Sequence, residues 1–236
     1  MDRQPEAALA LEGIRFSWPG SAFALEIDAL EVARGEAVMV RGPSGSGKST
    51  LLSLICGIVT PAAGEIRVVG EAFSALPSAR RDRVRAERLG VIFQMFNLLP
   101  YASPVDNVLL PLAFAPKRSA RVGRDQAGAA RQLLSGLGLS GDVIGARRAD
   151  RLSVGQQQRV AVARALIGGP DIVVADEPTS ALDADAKDTF LALMAEQVRA
   201  AGATLLMVSH DESLAHRFDR VLALDEVARL RRGAAA

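Results

Sequence analysis

Cysteine is almost missing from this chain, and so is any long hydrophobic run. A single cysteine, Cys56, stands among 236 residues. One thiol excludes an internal disulfide framework and a cysteine-based zinc site. Cys56 falls on the apolar side of a predicted helix and reads as a buried spectator. The most apolar windows, Leu51 to Ala63 and Val108 to Ala115, are too short for a bilayer and are interrupted by proline or glycine. Residues 1–10 carry Asp2, Arg3 and Glu6 and lack a continuous apolar stretch, so no export signal is read there. A soluble, cytoplasmic protein is expected, with any membrane role exercised through a partner. Charge of one sign is also lacking: 28 basic against 27 acidic residues leave a net charge of +1. No global field therefore draws the chain to nucleic acid or to an anionic membrane. Internal repeats, heptads and long linkers are absent as well. What is there is ordinary globular material, 49% hydrophobic and 23% charged, enough for one large domain or two small ones.

Against that background one segment stands out, Gly42-Pro43-Ser44-Gly45-Ser46-Gly47-Lys48-Ser49. It fits G-x-x-x-x-G-K-S/T. The apolar run Ala37 to Val40 before it predicts a buried strand, and Ser49 to Cys56 after it predicts a helix. Glycines let successive N–H groups converge on an anion, and the helix N-terminus adds unpaired donors and partial positive charge. Lys48 is placed to reach the β- and γ-phosphates of a nucleotide, and the Ser49 hydroxyl to ligate Mg2+.

The rest of the chain alternates in type. Leu11 to Phe16 and Ala24 to Asp28 read as strands around a Pro19-Gly20 turn, and Glu65 to Gly70 repeats the pattern, which predicts a small antiparallel sheet. Pro77 to Arg88 is helical, and Leu89 to Phe93 returns to strand. Helical patterns follow at Val105 to Leu112, at Asp125 to Leu137 and from Val154. Strands at Ile172 to Ala175, Thr204 to Ser209 and Val221 to Leu224 then alternate with helices at Asp185 to Ala200 and Glu212 to Arg217, as in a mostly parallel sheet. Residues 229–236 read as a frayed tail. The arginines at 80, 81, 83, 85 and 88 are interspersed with Asp82 and Glu87 and read as a solvated helix face rather than a polyanion site.

Two further segments bear on phosphate chemistry. The apolar strand Ile172 to Ala175 ends in Asp176 and Glu177, at the strand end where ligands of parallel sheets collect. Asp176 suits a Mg2+ shell, and Glu177 could orient or deprotonate an attacking water. Ser153 and Gln156 stand as N-cap and N3 of a capping box. That helix N-terminus could equally be aimed at an anion, and position alone leaves both readings open.

The ordered set of phosphate loop, Gln94, Leu152-Ser153-Val154-Gly155-Gln156, Asp176-Glu177, Ser180-Ala181-Leu182-Asp183 and Ser209-His210-Asp211 resembles the nucleotide-binding subunit of an ATP-binding cassette (ABC) transporter. The resemblance runs over essentially the whole chain. It implies an α/β P-loop NTPase core with a mostly parallel sheet, an N-terminal antiparallel β-subdomain and an inserted α-helical subdomain at about 95–168, all within one domain of residues 1–236. It implies ATP and Mg2+ as ligands. Trp18 would stack on adenine where the family usually has tyrosine, the alternative being a core tryptophan. Ser44 to Thr50, with Gly42, Gly45 and Gly47, would hold the phosphates. Gln94 would touch Mg2+ or the lytic water and link to a membrane partner. Ser153, Gly155 and Gln156 would contact the γ-phosphate of ATP held by a second subunit. Glu177 would be the general base, His210 the γ-phosphate sensor, and Asp183 part of the dimer communication loop. His216 has no such placement and reads as surface.

The family signature usually reads Leu-Ser-Gly-Gly-Gln, and Val154 departs from it. As first helical residue Val154 needs only a negative φ, so activity is expected to survive. Residues 93–112 resemble the lipoprotein-releasing and macrolide-efflux branch, whose subunits drive a separate integral membrane permease. Phe96, Leu98, Leu99 and Tyr101 would form the permease dock, with core packing as the alternative. The subunit would pair with itself or with a sibling cassette, peripheral on the inner face of the membrane and without a nucleic acid partner. The competing reading is a soluble cassette ATPase acting on another macromolecule.

Overall fold

The computed structural model describes residues 7–21, 23–180 and 184–232. In chain order the elements are β1 (Ala7–Ser17), β2 (Phe23–Ala33), β3 (Ala37–Arg41), α1 (Lys48–Ile55), β4 (Ala63–Val68), β5 (Glu71–Ala72), α2 (Ser78–Arg88), β6 (Leu89–Ile92), α3 (Pro104–Leu109) and α4 (Pro116–Val122). They continue with α5 (Gln126–Gly136), α6 (Gly141–Ile144), α7 (Val154–Leu166), β7 (Ile172–Asp176), α8 (Ala184–Ala200), β8 (Thr204–Ser209), β9 (Arg220–Ala223), α9 (Leu224–Val227) and β10 (Arg229–Arg232). The chain divides into two compact units. One comprises 1–85 with 204–236, the other 86–203.

The first unit contains the antiparallel sheet β10-β2-β1-β4-β5. Its inner face is set by alternation: Leu9 and Leu11, then Ile14 and Phe16, are buried on β1. The switch from odd to even positions falls at Gly13, which takes φ 60° where the pairing with β4 slips by one residue. A bulge of this kind re-aims the side chains that follow it. The same unit holds the parallel trio β8-β3-β9, with Val38 opposite Leu206, Val40 opposite Val208 and Val40 opposite Leu222. Val38, Met39, Val40 and all of β8 are buried, the unbroken apolar run of a strand covered on both faces.

At the end of the described residues the structure differs from the expected tail. Residues 229–232 form edge strand β10, antiparallel to β2, with Leu230 opposite Leu25. Arg229 pairs with Asp28 at 3.2 Å and Arg231 with Glu26 at 3.3 Å, so acidic residues on β2 select the basic strand. The arginine-rich helix α2 is also more than a solvated face. Arg81 donates to the carbonyls of Gly57 and Leu76, at 3.1 and 3.0 Å, and Arg80 pairs with Glu71. A cation at the end of α1 complements the helix dipole.

The second unit packs helices on the parallel pair β6–β7, in which Gly90 lies opposite Val173 and Ile92 opposite Ala175. Helix α7 sits directly on β6: a Cβ at Gly90 would come within 2.3 Å of the Ala165 carbonyl oxygen. Val160 to Leu166 are buried, and α8 contributes Phe190, Leu191, Met194 and Val198 to the core. The helix predicted over 105–112 is shorter than expected. Pro111 lies in a tighter 3-10 turn over 110–113 that follows α3.

Helix α4 carried no sequence signal beyond Pro116 at its first turn. Its N-terminal amides, of Lys117 and Arg118, donate to the buried Glu87 carboxylate at 2.9 and 3.2 Å. Arg118 is 1% exposed and donates to the carbonyls of Ala86, Leu89, Ala165 and Ile167. Burial brings its pKa down to about 10. The guanidinium remains a cation at neutral pH and satisfies carbonyls at the end of α7 that the helix itself leaves open.

Candidate phosphate-binding site

Strand β3 delivers the chain to a turn closed by Ser46 N donating to Pro43 O at 3.2 Å. Gly45 and Gly47 take φ 74° and 92°, values that side chains with a Cβ avoid, and α1 begins at the next residue. Gly47 is the N-cap and has no side chain to cap the first turn. Lys48 is 6% exposed and folds back over the loop, its Nζ donating to Gly42 O at 2.6 Å and to Pro43 O at 3.0 Å. Ser44, Gly45 and Ser49 are exposed.

Two features of the loop fit a bound anion. The Ser46 Oγ is buried and has no hydrogen-bond partner among the described residues. A Cβ at Gly42 would come within 2.8 Å of that oxygen, so only glycine leaves the space open. A buried hydroxyl without a partner is costly unless a ligand completes it.

Other residues of this unit gather at the loop. Trp18 Nε1 donates to the Thr50 Oγ1 on α1 at 3.3 Å, and its ring stands edge-on to Phe16 with centroids 5.1 Å apart. At 40% exposure Trp18 is not a core residue. It is tethered to the helix that follows the phosphate loop, with surface left to stack on a ligand. Arg41 and Ser209 are register partners on β3 and β8, so His210 follows β8 at the strand end where β3 enters the loop. His210 is exposed. Asp211 N donates to Ser209 Oγ at 3.0 Å, and Asp211 Oδ1 accepts from Ser213 N. His216 is exposed, its Nδ1 on Ser213 O at 2.8 Å.

The second unit carries the remaining candidates. Ile92 opposes Ala175 in the parallel pair, so Gln94 and the Asp176-Glu177 carboxylates leave their strands at the same, carboxyl end. Glu177 takes φ 42° and accepts Ser180 N at 3.2 Å. Phe96 and Asn97, two and three residues beyond Gln94, are also left-handed, φ 57° and 49°. Such conformations cost about 1–3 kcal/mol each outside glycine and concentrate at functional turns.

At α7 the capping box is formed in full: Ser153 N donates to Gln156 Oε1 at 2.9 Å and Gln156 N to Ser153 Oγ at 3.3 Å. Val154 is the first helical residue, half exposed, and has no positive φ, as the departure from the signature required. Gly155 follows within the helix. Asp183 lies outside the described residues.

The apolar dock divides differently from the reading made on sequence. Phe96 is a core residue at 9% exposure, and Tyr101 is exposed at 68%. Leu98 and Leu99 are half-buried, while Met95, Leu110 and Phe114, none of them singled out on sequence, are exposed. No helix among the described residues is long and apolar enough to cross a membrane. No group of three or more His, Cys, Asp or Glu side chains assembles a metal site among them either. Ser49 in one unit and Gln94 and Asp176 in the other are oxygen donors of the kind a hard divalent cation takes.

Comparison with known proteins points one way. The family model described as ABC transporter matches residues 25–180. The lipoprotein-releasing system ATP-binding protein LolD of Xanthomonas oryzae is 44% identical over 197 residues, 84% of this chain and 78% of that protein. The dimeric structure of MJ0796, a bacterial ABC transporter cassette, superposes with a TM-score of 0.80 at 31% identity, covering 95% of this chain and 99% of that one. A second dimeric structure of MJ0796, in a post-hydrolysis state bound to ADP and Pi, gives 0.79 at the same identity, over 97% of this chain and all of that one.

Proposed function

The chain belongs to the ABC transporter family as an ATP-hydrolysing subunit, and we propose that it works as a pair of subunits driving a separate membrane permease of the lipoprotein-release or efflux type. The observation that carries this reading is the phosphate cradle: left-handed Gly45 and Gly47 opening α1, Lys48 folded over the loop, and a buried Ser46 hydroxyl awaiting a partner. We read residues 1–236 as one cassette with a helical portion at about 95–168, a reading supported by the 95% coverage in the MJ0796 match.

In this reading Gly42, Ser44, Gly45, Gly47, Lys48, Ser49 and Thr50 hold the ATP phosphates and Trp18 stacks on the adenine. Lys48 and the N-terminus of α1 balance charge on the γ-phosphoryl group. Glu177 accepts the proton of the attacking water, and His210 contacts the γ-phosphate. Ser153, Gly155 and Gln156 serve the nucleotide held by a second copy, with Asp183 in communication between copies. Ser49, Gln94 and Asp176 are the oxygen donors suited to Mg2+, which when bound neutralises charge on the β- and γ-phosphates. Catalysis that waits for a second subunit couples hydrolysis to closure. Met95, Tyr101, Leu110 and Phe114 form the apolar surface for a cytoplasmic segment of the permease, which holds the subunit at the inner face of the membrane.

The test is Glu177→Gln. This variant should bind ATP and pair normally while turnover falls by about 100-fold or more. Near-normal hydrolysis would remove Glu177 from the role of base.

A further inference from the structure

The turn that carries Gln94 is held from outside by a buried cation. After the exposed Gln94 and Met95 the backbone passes through left-handed Phe96 and Asn97. A phenylalanine in this region crowds its Cβ against the following carbonyl, and the form persists only where neighbours over-determine it. Arg164, on α7 and 7% exposed, supplies that constraint: Nη1 donates to Asn97 O at 2.6 Å and Nη2 donates to Phe96 O. Burial holds the Arg164 pKa below its ordinary value, so the guanidinium depends on these two carbonyls for solvation. Beyond the turn, fully buried Asn107 accepts Leu99 N at 2.7 Å and donates to Leu99 O at 3.1 Å. The turn is thereby pinned to α7 on one side and to α3 on the other.

Arg164 and Val154 share one helix, separated by about 15 Å of helical rise. No glycine or proline interrupts α7 from Gln156 to Leu166. The signature end and Arg164 are therefore joined by one continuous helix.

We propose that Arg164 is a positioning residue that keeps the turn of residues 94–97 in its left-handed form and makes it travel with the signature helix. The inference rests on the proposed part of Gln94 and the signature segment in hydrolysis. It differs from the family reading of these residues in naming the link between them.

The test uses the full chain with Arg164→Met, Arg164→Lys and Arg164→Met combined with Asn97→Gly. Hydrogen exchange over residues 94–100, measured without nucleotide, should accelerate by about tenfold or more in Arg164→Met. Turnover should fall by about 10- to 100-fold with ATP affinity held within about twofold. Asn97→Gly, at an exposed position, should restore several-fold of the lost turnover, because glycine takes the left-handed form without penalty. Arg164→Lys should lie between, since an ammonium replaces the fork with a point donor, and it carries the same comparison if the methionine variant fails to fold. Unchanged exchange, faster exchange with unchanged turnover, or no recovery with Asn97→Gly would each overturn the proposal. A wild-type chain that hydrolyses no ATP would overturn the functional reading instead, while the nucleotide-free exchange still decides the clamp.

Discussion

In the unit that carries the phosphate loop, the geometry of the candidate site is set from within: Gly45 and Gly47 take the left-handed turn, and Lys48 closes on carbonyls five and six residues away. In the other unit the turn after Gln94 and the end of α7 are held from a distance. Arg164 reaches Asn97 O across 67 residues, and Arg118 reaches Ile167 O across 49. A site built from within tolerates change around it but not inside it. A site held from a distance can be unmade by residues that never approach the nucleotide.

The contrast is broken most severely at Gly47. A Cβ there meets Leu230 and Phe23 at 3.2 Å and the backbone φ is 92°. Gly47→Val should lower ATP affinity by about 100-fold or more in a titration of the folded protein. Near-native affinity would show that the loop does not depend on its glycines. The opposite case is Arg118→Met, which should cost about 2–4 kcal/mol in denaturant unfolding by orphaning buried carbonyls. The ATP affinity of the folded fraction should stay as it was. A loss of affinity without a loss of stability would erase the distinction between the units. The smallest effect is expected for Val154→Gly, since the valine already has a permitted helical φ. Turnover should change by no more than about threefold, and a rise of orders of magnitude would make Val154 a brake.

The same contrast separates what could be read beforehand from what could not. Phosphate loop, strand-end carboxylates and capping box are local patterns, and each residue in them predicts its neighbour's conformation. On sequence strand β10 reads as a tail because four residues, mostly arginine, carry little pattern. The acidic partners that order them, Glu26 and Asp28, lie at the other end of the chain. The resemblance of residues 93–112 places Phe96 on a docking surface with core packing as the alternative, and the structure takes the alternative. The left-handed backbone of Phe96 turns the ring inward and leaves Met95 outside at 82% exposure. Arginines 118 and 164 gave no sign of burial, since a charged side chain is ordinarily a surface residue. Only the carbonyls they meet explain them.

Strand β10 has a consequence for folding. Leu230 packs within van der Waals reach of where a Gly47 side chain would stand, beside Phe23, although the two lie far apart in sequence. The wall behind the phosphate cradle is completed only when these distant segments meet. Completing that wall is a long-range closure, so in folding it should follow the local turn of the loop.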